Sequence, residues 1–197
     1  MMLRDYQQRA IDQLYAWFAN GGDGNPCLVL PTGAGKSHII AALVKDALQN
    51  WPETRVLMLT HQKELIAQNA EKLRQHWPNA PMGIYSASLG RRCLTEPITF
   101  AGIQSVAKRG HEIGHIDLIL VDEAHSINHE QTGGYRRLIA DLTAINPHLR
   151  VIGLTATPYR LGHGMIHEGD DVLFNALIEP ISIEELVHRG FLTKLQS

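Results

Sequence analysis

The chain has 197 residues, of which 44% are hydrophobic, and a formal net charge of −2 with a pI near 6.6. This length and hydrophobic content suit one domain with a substantial core, residues 1–197, and the charge predicts no broad basic face. The apolar runs stop well short of the ~18 residues that a membrane span requires, and two cysteines are too few for a disulfide framework. We therefore expect a soluble, cytoplasmic domain without a membrane partner.

Helices and strands are predicted to alternate along the chain. Apolar positions at helical spacing follow Asp5, which we expect to cap the first helix, up to Gly21. Strands are predicted over residues 27–30, 55–60, 82–85, 98–101, 116–121 and 150–154. Helices are predicted over residues 37–49, 62–77, 104–108 and 135–145, and over a last short segment opened by a capping box at Ser182 and Glu185. The β-α-β-α order predicts a parallel sheet, and residues 161–171 are predicted to form a loop.

The most informative stretch is residues 31–37, Pro-Thr-Gly-Ala-Gly-Lys-Ser, between a predicted strand and a predicted helix. Gly33 and Gly35 permit backbone conformations that a Cβ would forbid, so several N–H groups can face a phosphate chain at the positive end of the helix. Lys36 would reach the β- and γ-phosphates, and Ser37 could ligate a Mg²⁺ bound to them. The alternative is an ordinary glycine turn. The candidate nucleotide-binding residues are Thr32, Gly33, Ala34, Gly35, Lys36 and Ser37.

Hydrolysis of a bound nucleotide would need a carboxylate to anchor the metal and a base for the attacking water. Asp122 and Glu123 follow the apolar run 118–121, so they emerge at the carboxyl end of a predicted parallel strand, where ligands collect. Asp122 would hold Mg²⁺ through its hydration shell, and Glu123 would orient and deprotonate the water. The alternative is a surface acidic pair that caps the next helix.

Asp-Glu-Ala-His at 122–125, with Gly-Ala-Gly-Lys-Ser at 33–37 and Thr-Ala-Thr-Pro at 155–158, resembles the first RecA-like domain of a superfamily 2 helicase or translocase of the DEAH-box type. That family commonly has Pro or Ala near Leu30 and Pro31, where the general phosphate-loop pattern has glycine. The resemblance implies an α/β, RecA-like P-loop NTPase fold with a mostly parallel twisted sheet and helices on both faces. It also implies an ATP-hydrolysing enzyme with ATP and Mg²⁺ as cofactors.

The same resemblance assigns roles to residues outside the phosphate loop. In the N-terminal segment, about residues 1–22, Gln7 would read the adenine edge and Arg4 would stack on the base. The residues that would pass the state of the nucleotide to the nucleic-acid side are His125, Thr155 and Thr157. Nucleic-acid phosphates would be bound by backbone amides and hydroxyls, which need little net positive charge. These contacts are implied for Thr60, His61, Gln62, Gly102, Gln104 and Ser105.

Within the superfamily, residues 63–69, 104–107 and 157–162 look most like the bacterial RadD group, DNA-repair ATPases related to the motor subunits of restriction enzymes. This likeness implies a bacterial, nucleoid-associated protein whose nucleic-acid partner is DNA rather than RNA. Two alternatives remain open. The chain could be the motor of a restriction system, or a nucleotide-gated nucleic-acid binding module without productive hydrolysis.

Superfamily members close the ATP site with a second RecA-like domain that carries an arginine finger, and no such motif follows Arg160. We therefore expect residues 172–197 to lead toward a second domain absent from this chain, and the fragment to be monomeric. An arginine finger is worth ~10³ to 10⁵ in rate in related phosphoryl transfers. The fragment alone should thus bind ATP and Mg²⁺ weakly and barely hydrolyse ATP.

Overall fold

A computed structural model of the protein describes residues 2–127, 129–160, 164–169 and 172–192. The helices are α1 (Asp5–Ala19), α2 (Lys36–Asn50), α3 (Lys63–His76), α4 (Ile103–Val106), α5 (Gly110–Ile113), α6 (His129–Ile145) and α7 (Ile183–His188). The strands are β1 (Pro26–Val29), β2 (Val56–Thr60), β3 (Met82–Ser86), β4 (Arg91–Arg92), β5 (Ile98–Gly102), β6 (Leu118–Asp122), β7 (Arg150–Thr155), β8 (Tyr159–Arg160), β9 (Gly164–Met165) and β10 (Ala176–Ile178). None of the helices described is long and apolar enough to cross a membrane.

Eight strands form one sheet in the order β10-β1-β7-β6-β2-β5-β3-β4, and β8 pairs with β9 in a separate antiparallel hairpin. Within the sheet, every neighbouring pair is parallel except β3 with β4. The chain that leaves β1 passes over β7 and β6 to reach β2. The carboxyl ends of β1, β7 and β6 therefore lie side by side, in the position at which open α/β sheets bind ligands.

Successive side chains of the strands pack on opposite faces of the sheet. On one face, α1, α2, α3 and α7 cover a buried cluster that includes Leu28, Met58 and Leu120. On the other face, α4, α5 and α6 cover a second cluster that includes Cys27 and Ile119. Strands buried on both faces explain the continuous apolar runs in the sequence. The predicted α/β architecture, a mostly parallel sheet with helices on both faces, is confirmed.

The starts of two helices differ from the sequence prediction. Asp5 is the first residue of α1 and not its cap; the N-cap residue is Arg4, whose backbone N–H donates to Gln7 Oε1 at 3.0 Å. Helix α6 begins at His129 and not at residue 135, so it includes two glycines that the prediction excluded. A Cβ on Gly134 would lie 3.5 Å from Ala107 Cβ, an ordinary van der Waals distance, so packing against this segment does not itself require the glycine.

Several of the short elements are not predicted from the sequence. Strand β10 is not predicted although it pairs with β1 at the edge of the sheet, and neither β4 nor α5 is predicted. Part of the predicted loop 161–171 is strand β9, while residues 161–163 and 170–171 of that loop lie outside the described residues. Residues 193–197 of the predicted C-terminal segment are also outside them.

Candidate nucleotide and nucleic-acid site

The glycine loop connects the buried strand β1 to the start of α2. Gly33 and Gly35 have φ values of +86° and +81°, which lie in the left-handed region that favours glycine. A Cβ on Gly33 would come within 2.6 Å of Leu192 Cδ2, so the end of this side chain, from the segment after α7, would have to shift. Gly35 is the N-cap residue of α2, and Lys36 is its first residue. The free N–H groups at this helix start provide the anion-binding geometry expected from the sequence.

Lys36, Asp122 and Glu123 meet at the carboxyl edge of the sheet. Lys36 Nζ lies 2.7 Å from Asp122 Oδ1 and donates a hydrogen bond to Glu123 Oε1 at 2.5 Å. All three residues line a cavity of about 340 Å³ beside the glycine loop. Other lining residues include Thr32, Gly33, Gly35, Ser37, Asn69 and Lys72. The two sequence motifs, far apart in the chain, thus share one cavity.

The electrostatics of this cluster favour the charged form of Lys36. Burial by itself would lower the pKa of Lys36, but the adjacent carboxylates of Asp122 and Glu123 outweigh burial and raise it. Asp122 is buried, and its second oxygen, Oδ2, accepts a hydrogen bond from Asn69 Nδ2 at 2.7 Å. An ionised lysine is therefore held among carboxylates at the place where a phosphate chain would need a cation.

Glu123 has an unusual backbone conformation. Its φ and ψ are 51° and 48°, and it is the one non-glycine residue with a positive φ among those described. A left-handed conformation costs a non-glycine residue of order 1 kcal/mol and is often retained at functional sites. Here the conformation turns the chain between β6 and the 3₁₀ turn Ala124–Ser126, and the Glu123 side chain faces the cavity.

A series of polar contacts links Glu123 to the end of β7. His125 Nδ1 lies 3.4 Å from Glu123 Oε2 and 2.8 Å from Thr155 Oγ1. The Thr155 hydroxyl donates to the Thr157 carbonyl at 2.7 Å and accepts from the Thr157 N–H at 3.2 Å. Because that hydroxyl has one proton, Nδ1 of His125 must be the donor to Thr155, and Nε2 can then accept from Ser126 Oγ at 3.2 Å. The three residues predicted to couple the sites are in contact.

The N-terminal helix contacts the glycine loop through Tyr6 and Gln7. Both Gln7 Nε2 and the Tyr6 hydroxyl donate to the Ala34 carbonyl at 3.1 Å. The Arg4 guanidinium lies 4.2 Å from the ring centroid of Phe191, so its stacking partner here belongs to the chain after α7. Tyr6 and Phe191 had no predicted role, because nothing local in the sequence indicates a contact between the two ends of the domain.

The predicted nucleic-acid residues lie at the carboxyl ends of β2 and β5, where Thr60 and Gly102 are register partners. Thr60 is buried, and its Oγ1 accepts the Gln62 N–H at 3.4 Å. Gln104 Nε2 donates to the His61 carbonyl at 2.8 Å, and Ser105 Oγ accepts the Ala87 N–H at 3.1 Å. The six residues thus share one edge of the domain. Burial, together with His125, lowers the pKa of His61, which disfavours a positive charge on this residue.

The residues present fit a magnesium ion that is held mainly by nucleotide and water. No group of three or more His, Cys, Asp or Glu residues in the described part of the chain could hold a metal alone. Mg²⁺ in nucleotide sites keeps several waters and uses one or two protein oxygens plus phosphates. The Asp122 carboxylate and the Ser37 hydroxyl are oxygen donors of this kind at the cavity, and Ser37 Oγ also lies 3.2 Å from His76 Nε2.

The sheet order, the glycine loop and the paired carboxylates define a RecA-like domain of the kind found in superfamily 2 helicases. A family profile described as the type III restriction enzyme, res subunit, matches residues 1–160, and the chain belongs to this family. The helicase domain of Hef from Pyrococcus furiosus has the same fold, with a TM-score of 0.65 at 23% identity, over 100% of this chain and 43% of that one.

Curated relatives include helicases and translocases of both nucleic acids. The DNA 3'-5' translocase XPB2 of Sulfurisphaera tokodaii is 31% identical over 189 residues, covering 93% of this chain and 37% of that protein. The ATP-dependent RNA helicase DHX58 of Mus musculus is 29% identical over 152 residues, covering 68% of this chain and 22% of that protein. The chain therefore spans well under half the length of these relatives.

Proposed function

We propose that this chain is the ATP-binding motor domain of a DNA helicase or translocase of the DEAH-box type that acts in DNA repair. The observation that carries the proposal is the convergence of Lys36, Asp122 and Glu123 on one cavity beside the glycine loop. A module that only bound nucleotide would not need a base there. The narrower likeness to the RadD group remains a prediction from sequence motifs.

The geometry supports a chemical role for each residue of the site. Lys36 would exchange its carboxylate partners for the β- and γ-phosphates of ATP, and the N–H groups of the loop would bind the same phosphates. Asp122 and Ser37 would hold Mg²⁺, which neutralises charge on the phosphates when bound. Glu123 would accept a proton from the attacking water once Lys36, which now donates a hydrogen bond to Glu123 Oε1, has turned to the phosphates.

DNA is the proposed partner, because the XPB2 relative is a DNA translocase and the RadD-like motifs belong to DNA-repair ATPases. The RNA helicase relative makes RNA the alternative. The family match, to a restriction-enzyme subunit, supports a second candidate: a restriction-system motor that moves on duplex without separating strands. We further propose that the domain is monomeric and acts in the bacterial cytoplasm at the nucleoid.

The exchange Glu123→Gln tests the hydrolytic proposal. The amide keeps the size of the side chain but cannot accept the proton, so turnover should fall by at least ~10²-fold while ATP binding stays within about threefold of wild type. Turnover should be measured in a protein that includes a second RecA-like domain. Glu184→Gln, an exposed position on α7, is the matched control. Unchanged turnover in Glu123→Gln would remove Glu123 from its role.

The nature of the partner is tested by stimulation of that turnover with single- and double-stranded DNA and RNA. We expect DNA to stimulate more than RNA, and strand displacement by the same protein would separate a helicase from a restriction-type translocase. For the 197-residue chain alone, we expect turnover lower by about 10³-fold or more, because no arginine finger is supplied. Robust DNA-stimulated turnover of the chain alone would contradict the proposed need for a second domain.

A further inference from the structure

Helix α3 lines the nucleotide cavity along one of its faces. Asn69, Lys72 and Leu73 line the cavity, and His76 reaches Ser37 at the start of α2. The spacing of these four positions is that of one helical face. No role is predicted for this face from the sequence, because residues 63–69 enter the sequence analysis only through the likeness to the RadD group, with no function attached to them. This one helix nevertheless contacts both candidate metal ligands: Asn69 contacts Asp122, and His76 contacts Ser37.

Asn69 fixes the orientation of the Asp122 carboxylate. Its Nδ2 donates to Asp122 Oδ2 at 2.7 Å, while Lys36 Nζ lies 2.7 Å from Oδ1, so the two oxygens are held from two different helices. The Asp122 side chain is only 4% exposed, and water therefore cannot replace the amide easily. The amide is neutral, so it orients the carboxylate without removing the negative charge that a cation would bind.

His76 contacts the other candidate metal ligand. Its Nε2 lies 3.2 Å from Ser37 Oγ, and its ring packs against that of His38 with 3.8 Å between centroids. A serine hydroxyl that donates its one proton to an imidazole nitrogen keeps its lone pairs available for a cation. In the tautomer in which His76 Nε2 is the acceptor, the contact would orient the Ser37 hydroxyl with its lone pairs free for a cation.

We propose that Asn69 and His76 are positioning residues that hold Asp122 and Ser37 for Mg²⁺, so that α3 is a wall of the metal site. The inference rests on the proposed function, since it concerns the metal that accompanies ATP. Partners of metal ligands in other proteins typically change metal affinity by about 10- to 100-fold when removed. The effect here should appear only in the part of ATP affinity that depends on magnesium.

The test is calorimetric titration of the 197-residue chain with ATP, in Mg²⁺ and in EDTA. For Asn69→Leu, we expect affinity within about twofold of wild type in EDTA and a loss of about 10-fold or more in Mg²⁺. His76→Phe keeps the ring but lacks the nitrogen, so it should lose several-fold in Mg²⁺ only, and His76→Gln should restore affinity. Gln68→Leu and Gln75→Leu, exposed neighbours on α3, are controls expected to match wild type.

Comparing ATP affinity in Mg²⁺ with that in EDTA separates a positioning role from a loss of folding, because a variant that only unfolds loses binding in both conditions. Equal losses in both conditions, or wild-type affinity of Asn69→Leu in Mg²⁺, would overturn the inference while leaving the proposed function in place. Failure of the wild-type chain to bind ATP in Mg²⁺ would instead overturn the proposed function, and this inference with it.

Discussion

At the scale of single residues, Lys36 is the cation of the site: apart from His125, no other basic group in the described residues lies within 4.0 Å of Asp122 or Glu123. The Lys36→Met exchange would leave a buried carboxylate without its cation. We expect the free energy of unfolding to fall by about 1–3 kcal/mol, since Asn69 still donates to Asp122. Urea unfolding measures the change, with Lys108→Met, an exposed lysine outside the cavity, as control.

The difference in unfolding free energy between wild type and Lys36→Met should depend on pH, because the pKa of Lys36 is raised. A basic group whose pKa is raised by folding stabilises fully below its ordinary value, here 10.5, and loses that contribution as pH rises through its value in the folded state. The stability gap between wild type and Lys36→Met should therefore stay constant between about pH 7 and pH 9 and narrow only above pH 10.5. A gap that closes near neutral pH would contradict the ion-pair assignment.

Thr155 is a second residue whose contacts make a definite prediction. Thr155→Val keeps the shape of this buried side chain but removes the hydroxyl that contacts both His125 and Thr157. We expect the free energy of unfolding, measured with urea, to fall by about 1–3 kcal/mol, because His125 and the backbone of Thr157 lose a hydrogen-bond partner. ATP affinity should change little, while stimulation by DNA of a protein with both RecA-like domains should be lost. Thr143→Val, exposed on α6, is the control, and normal stimulation in Thr155→Val would exclude the coupling role.

At the scale of elements, the junction of β1 and α2 must keep a glycine at position 35. In Gly35→Ala, the new Cβ would meet Gln7 Nε2, and the residue would hold a φ of +81°. We expect a stability loss of about 2 kcal/mol or more and at least a ~10-fold loss of ATP affinity, because the backbone is strained and Gln7 is displaced from its contact with the loop.

Gly21→Ala is a matched control for that prediction. Gly21 has nearly the same φ, +80°, but no atom lies within 4 Å of the position that a Cβ would take there. Gly21→Ala should lower the free energy of unfolding by about 1 kcal/mol through backbone strain alone and leave ATP affinity unchanged. If the two variants lose the same stability and both bind ATP normally, the contact of α1 with the loop has no part in nucleotide binding.

At the scale of the whole molecule, local sequence patterns predicted most of the strands and helices that a local pattern can specify. Buried parallel strands are continuous apolar runs, and a strand, a glycine loop and a helix start are neighbours in the chain, so β1, α2 and β6 were predicted with small errors at their ends. The meeting of Lys36 with Asp122 followed from a general rule for parallel sheets and not from the sequence between them.

The features that escaped prediction depend on contacts between distant parts of the chain. Phe191 contacts Arg4 although the two residues lie near opposite ends of the sequence, and Asn69 on α3 donates to Asp122 at the end of β6. No local signal distinguishes Asn69 from any other polar residue on a helix. Strand β10 has three residues and is specified by its pairing with β1 rather than by its own composition.

The most direct test of the central claim, that the glycine loop and the acidic pair bind one magnesium–triphosphate, is calorimetric titration of Asp122→Asn and Lys36→Met with ATP in Mg²⁺ and in EDTA. Lys36→Met should lose affinity by about 10-fold or more in both conditions, because it removes a phosphate contact. Asp122→Asn should lose only the magnesium-dependent part of the affinity. If both variants bind ATP as the wild type does in both conditions, the two motifs do not share a ligand.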